Sequence, residues 1–138
     1  MLKTPLFGTM IALERDGAPL LGSIYFPIQD HHLIGSAETG TFLNGARCRV
    51  SETSRLAEAT LLLTDPRDLT RGAERELVAR LCGSVRLVRG LGDCYGYYLV
   101  ARGLADVMML DGRSYRDQQV LASDYAALTS PRRSMLGK

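Results

Sequence analysis

Residues 61–72 read LLLTDPRDLTRG, and within them Asp65-Pro66-Arg67-Asp68-Leu69-Thr70 places two carboxylates three residues apart with a hydroxyl two residues further on. Hard oxygen donors at that spacing suit a divalent cation, which polarises a phosphate and lowers the pKa of an attacking water. The other reactive groups are scattered. His31 and His32 are adjacent, so on a strand they point to opposite faces and cannot together grip one ion. Cys48, Cys82 and Cys94 are odd in number and far apart, and they contain no Cys-x-x-Cys pair. That pattern argues against a disulfide framework and a zinc site and in favour of reduced thiols. A short motif gains meaning only from its structural context, so the elements around Asp65 and Asp68 decide what they do.

With 138 residues, 46% hydrophobic and 23% charged, the chain can bury one ordinary core. One domain over 1–138 is expected, with an antiparallel half at 1–55 and an α/β half at 56–138. Seventeen basic and fifteen acidic residues leave a net charge of +2, and the basic residues are dispersed apart from Arg132 and Arg133. Nucleic-acid binding is therefore not expected. No apolar run reaches the roughly 18 residues of a membrane span, and MLKTPLFGTM lacks the apolar stretch and cleavage site of a secretory signal. A cytoplasmic protein without membrane partners is the expectation.

The first half reads as a meander. LFGTMIALERDGAPLLGSIYFP holds two β-rich runs around Asp16-Gly17, and HHLIGSAETGTFLNGARCRVS repeats the pattern with turns at 38–40 and at Asn44-Gly45. Four or five antiparallel strands are predicted. The second half changes period. EATLLLTDP reads as a buried strand, and GAERELVARLCGS puts Leu77, Val78 and Leu81 at helical spacing with Gly83 as a stop. VRLV is a further strand. GDCYGYYLVARG then offers Asp93 as N-cap, an apolar stripe through Tyr97, Tyr98, Val100 and Ala101, and Gly103 as C-cap, ahead of the strand LADVMML. The fold class is α+β, an antiparallel meander followed by strand–helix–strand units.

In their order, PLFGTMIALERDGAPLLGSIYFP, GSAETGTFLNGARCRVS, LAEATLLLTDP and GLGDCYGYYLVARGLADVMM resemble the middle and later part of the inositol monophosphatase superfamily. The GDCYGY variant is most similar to its histidinol-phosphate phosphatase branch, and the resemblance covers about residues 5–117. It implies a layered fold, Mg²⁺-dependent phosphomonoester hydrolysis and a small phosphorylated metabolite as substrate.

The resemblance also places the opening hexapeptide. The family's metal loop, Asp-Pro-Ile/Leu-Asp-Gly-Thr, precedes the PLFGT strand, whereas Asp65 follows it by nearly sixty residues. Leu69 also stands where that loop has glycine, and its β-carbon restricts backbone approach to metal and phosphate. Asp65 and Asp68 are thus expected to be a strand-end turn residue and a solvated carboxylate. The family's glutamate and paired loop aspartates fall before the position of Met1. One downstream ligand, in a Pro-Trp/Tyr-Asp-x-Ala-Ala-Leu stretch, remains: spacing from Ala105 favours Asp117, while the local pattern DYAAL favours Asp124. Spacing is preferred, because seven inserted residues would have to be looped out.

For substrate contacts the resemblance implies Gly92, Asp93 and Cys94, at a helix start whose free N–H groups can meet substrate oxygens, with Asp93 suited to a cationic amine. A further family acid falls at Leu110, and this chain has Asp111 one residue later, which on a strand reverses the face. TSPRRSMLGK lacks the family's Glu-Ala-Gly-Gly continuation. The expected function is a Mg²⁺-dependent phosphomonoesterase that is incomplete in this chain. The competing reading is a non-catalytic binding or scaffold remnant needing a partner chain. An unrelated α+β binding domain would require every ordered match to be accidental. Uncovered sheet surface leads to an expectation of self-association, and a sharp monomer peak in size-exclusion chromatography at low micromolar concentration would contradict it.

Overall fold

The computed structural model describes residues 5–64, 75–91 and 93–109. The chain divides into two compact units, one containing residues up to Arg49 and the other running from Val50.

The first unit is an antiparallel sheet in chain order: β1 (Thr9–Arg15), β2 (Ala18–Phe26), β3 (His31–Ser36), β4 (Gly40–Leu43) and β5 (Ala46–Cys48). The turn chemistry accounts for the register. Asp16 and Gly17 both take positive φ, 54° and 76°, as do Asn44 and Gly45 at 47° and 82°. These are the conformations that two-residue hairpin turns demand and that Asp, Asn and Gly supply with least strain. A bulge between Leu13 and Glu14 adjusts the first hairpin. Strand alternation buries Ile24, Phe26 and Leu33 completely on one face. His31 and His32 lie on β3 and so face opposite ways, with His32 exposed and sharing a 2.9 Å hydrogen bond with Ser23 Oγ.

Asn44 joins the two turn regions at the end of this sheet. Its Oδ1 accepts from the His32 N–H at 2.7 Å, and its Nδ2 donates to the Asp30 carbonyl at 2.8 Å. Asn44→Ala would lose both bonds and put a β-carbon without a compensating side chain at φ 47°. About 1–2 kcal/mol of destabilisation is expected, read as a lower urea midpoint with unchanged slope.

The second unit holds a three-stranded parallel sheet in the order β7–β6–β8. Its elements are β6 (Thr60–Leu63), α1 (Arg75–Ser84), β7 (Leu87–Arg89), α2 (Asp93–Ala101) and β8 (Val107–Met109). Every residue of β6 is buried, as its continuous apolar run requires in a central parallel strand. The helix read over this stretch forms as α1 and ends at Ser84, one residue past the Gly83 read as its stop. Of its apolar residues Val78 is buried but Leu77 is 64% exposed. In α2 the expected stripe of Tyr97, Tyr98, Val100 and Ala101 is buried as read.

Candidate functional site

The expected substrate end is the start of α2, which follows β7 after a connection of three residues. Because β6, β7 and β8 run parallel, their carboxyl ends share one end of this sheet, and the turn after β7 delivers the helix N-terminus there. Open parallel sheets bind ligands at that end. Asp93 is the first residue of α2, exposed, with φ 54°. This left-handed conformation differs from the extended backbone of an ordinary N-cap. Asp tolerates it better than most residues, though at a cost, and such outliers concentrate at functional positions. Cys94 is buried at 8% exposure. Cys48, Cys82 and Cys94 are all thiols, and burial pushes the Cys82 thiol up.

Contacts along the whole of α2 fix its conformation and its approach to β8. Tyr98, 1% exposed, stacks on Tyr95 at 5.5 Å and accepts a 2.5 Å hydrogen bond from Arg102 Nη1. Beyond the last turn, Gly103 at φ 71° and Leu104 donate to the carbonyls of Val100 and Leu99 at 3.0 and 2.9 Å, closing the helix with the expected glycine cap. Gly96 lies so close to β8 that a β-carbon there would stand 2.6 Å from Met108 Sδ and 2.7 Å from the Leu91 carbonyl.

Asp106 fastens the entry of β8 to that of β6. Its Oδ1 accepts from Ser51 Oγ at 2.5 Å and its Oδ2 from the Thr60 N–H at 2.6 Å, while its own N–H donates to the Thr60 carbonyl at 3.1 Å. Arg86 completes the joint by donating from Nη2 to Thr60 Oγ1 at 3.0 Å and from Nε to the Glu58 carbonyl at 3.0 Å. Burial pushes the Asp106 carboxyl up, but the hydroxyl of Ser51, the Thr60 amide, Thr53 and the Arg86 charge together hold it below its ordinary 3.8. Sequence reading missed both Gly96 and Asp106. The available signals were a glycine inside an apolar helix and an acid directly ahead of a short apolar strand, both of which are common.

Of the residues read from the sequence as ligands or contacts, Asp93 and Cys94 sit together at the start of α2. Gly92, Asp111, Asp117 and Asp124 lie outside the described residues, as do Asp65 and Asp68. Among the described residues no three His, Cys, Asp or Glu side chains are grouped to hold a metal ion, so those residues do not by themselves fit Mg²⁺.

The inositol monophosphatase family profile matches residues 2–129. The chain belongs to the inositol monophosphatase family. The family's mixed architecture, with an antiparallel meander and a parallel sheet, is the one seen here. A histidinol-phosphatase of Chlorobaculum parvum is 40% identical over 103 residues, covering 75% of this chain and 40% of its own length. A histidinol-phosphatase of Mycobacterium tuberculosis is 31% identical over 129 residues, covering 90% and 47%. Among solved structures, an inositol monophosphatase from Zymomonas mobilis aligns with a TM-score of 0.71 at 32% identity, over 90% of this chain and 46% of that one. These relatives support the histidinol-phosphatase branch of the inositol monophosphatase family. The chain spans less than half the length of each of them.

Proposed function

We propose that this chain is part of a Mg²⁺-dependent phosphomonoesterase acting on a small phosphorylated metabolite in the cytoplasm, with an amine-bearing ester such as histidinol phosphate as substrate. The observation that carries the substrate reading is Asp93, an exposed carboxylate held at φ 54° at the start of α2. At that position the N–H groups of the first helical turn attract substrate oxygens, and the carboxylate attracts an ammonium or imidazolium. The histidinol-phosphatase relatives support this choice of ester. Gly92, Cys94 and Asp111 are proposed to line the same substrate end. Asp117, with Asp124 as its competitor, is proposed as the metal ligand, and the ion's contribution would be to polarise the phosphate and acidify a water.

The 138 residues contain no Asp-Pro-x-Asp-Gly-Thr run, which favours a chain that is weak or inactive alone. Among the described residues no helix is long and apolar enough to cross a membrane.

Asp93→Asn tests the substrate reading, because asparagine also tolerates left-handed backbone and so removes only the charge. Calorimetric titration is expected to show histidinol phosphate binding about tenfold weaker in the variant, with inositol monophosphate binding unchanged. Equal losses for both esters, or none, would overturn the role of Asp93.

A further inference from the structure

The hairpin between β4 and β5 brings an electrophile and a nucleophile together. Asn44 is the only asparagine of the chain, it is followed by glycine, and both residues are exposed. Asparagine is thermolabile because its carboxamide lies within reach of the next residue's backbone nitrogen. Glycine, having no β-carbon, does least to hinder that nitrogen. Asn44 and Gly45 are the two turn residues enclosed by the Leu43–Ala46 pair, so the Gly45 N–H stands outside the ladder. The carboxamide is polarised as well, since its Oδ1 accepts from the His32 N–H at 2.7 Å. A backbone N–H at that point stabilises the negative charge that develops on the oxygen when a nucleophile adds to Cγ.

The same contacts restrain the reaction. Oδ1 on the His32 N–H and Nδ2 on the Asp30 carbonyl, at 2.8 Å, fix the carboxamide between the two turn regions. Turning it toward Gly45 releases both bonds, which slows the approach about tenfold. We propose that Asn44 is a self-modification site, converted to aspartate and isoaspartate by attack of the Gly45 nitrogen, with the bonds to His32 and Asp30 setting the rate. The Gly45 nitrogen gives up its proton and bonds to Asn44 Cγ, the Cγ–Nδ2 bond breaks, and the side-chain nitrogen leaves with that proton as ammonia. Water then opens the five-membered imide. Attack at Cγ restores the ordinary chain with aspartate, and attack at the main-chain carbonyl leaves the chain running through Cγ as isoaspartate. Neither product fits the junction. Aspartate sets a carboxylate oxygen against the Asp30 carbonyl where Nδ2 had donated, and isoaspartate adds a backbone atom inside the Leu43–Ala46 pair.

The test holds the full chain at mildly alkaline pH, folded or in guanidinium chloride, and follows residue 44 by mass-spectrometric peptide mapping. Mapping separates this site from isoaspartate formed at Asp16-Gly17 or Asp111-Gly112. Both aspartate and isoaspartate are expected at position 44 in both conditions, accumulating about tenfold more slowly in the folded chain. Gly45→Ala, compared only in guanidinium chloride where the turn's φ of 82° no longer matters, is expected to slow the conversion about tenfold. Aspartate without isoaspartate, or a rate indifferent to Gly45→Ala, would overturn the attack by Gly45. Equal rates in the folded and unfolded chains would overturn the restraint, and a folded chain whose Asn44 stays wholly intact long after the unfolded chain has converted would overturn the site.

Discussion

Asp106→Ala is expected to cost about 3 kcal/mol, because it removes the acceptor of two hydrogen bonds at once and leaves the Thr60 N–H, on a residue 8% exposed, without its partner. Denaturant unfolding would show the loss as a lower midpoint. Asp106→Asn separates geometry from charge. Its carbonyl can still accept from Thr60 and its amide can donate to Ser51 Oγ, so only the attraction to Arg86 and the charge assistance disappear, about 1 kcal/mol. The pH dependence follows from the lowered carboxyl. A group that ionises at lower pH in the folded state than in the unfolded chain contributes its full stability above the ordinary value of 3.8 and loses it as pH falls through the folded value. The stability gap between wild type and Asp106→Asn is therefore constant from pH 7 to pH 5 and narrows below pH 3.8. A gap that instead widens in acid would contradict the joint described here.

Gly96→Ala is expected to cost about 2 kcal/mol net, even though alanine in an unconstrained helix interior would gain about 1 kcal/mol over glycine. Met108 can swing its sulfur away from the new methyl group. The Leu91 carbonyl, 2.7 Å from the same point, is backbone and can retreat only by moving the connection that sets the start of α2. Both the thermal midpoint and the position of Asp93 depend on that connection. Met108→Ala combined with Gly96→Ala is expected to recover little of the loss, since it relieves only the sulfur contact; full recovery would mean that Leu91 is not the obstacle.

The sequence was most legible where local chemistry decides structure. Asp16-Gly17 and Asn44-Gly45 dictate backbone conformations that few other pairs adopt, so the meander could be read from its turns. The stripe and glycine cap of α2 were legible for the same reason, since helical spacing and a left-handed C-terminal residue are local signals. What could not be read were contacts distant in sequence. Nothing near Asp106 announces Ser51 or Thr60, and nothing near Gly96 announces the approach of Met108. The exposure of Leu77 is of the same kind, because a helix's apolar spacing does not say how much of its surface a neighbour covers. At the site, Asp93 and Cys94 were legible as a pair at a helix start, but the left-handed backbone of Asp93 was not, as aspartate at that position is ordinarily an extended cap.

The most direct measurement is release of inorganic phosphate from histidinol phosphate by the purified chain, with Mg²⁺ and with a chelator, beside the Asp117→Asn variant. Expected is release at background level from the chain alone in all conditions, as befits one portion of a phosphatase fold. Mg²⁺-dependent turnover that the Asp117→Asn variant loses would contradict it, and would mean that these 138 residues assemble a working metal centre unaided.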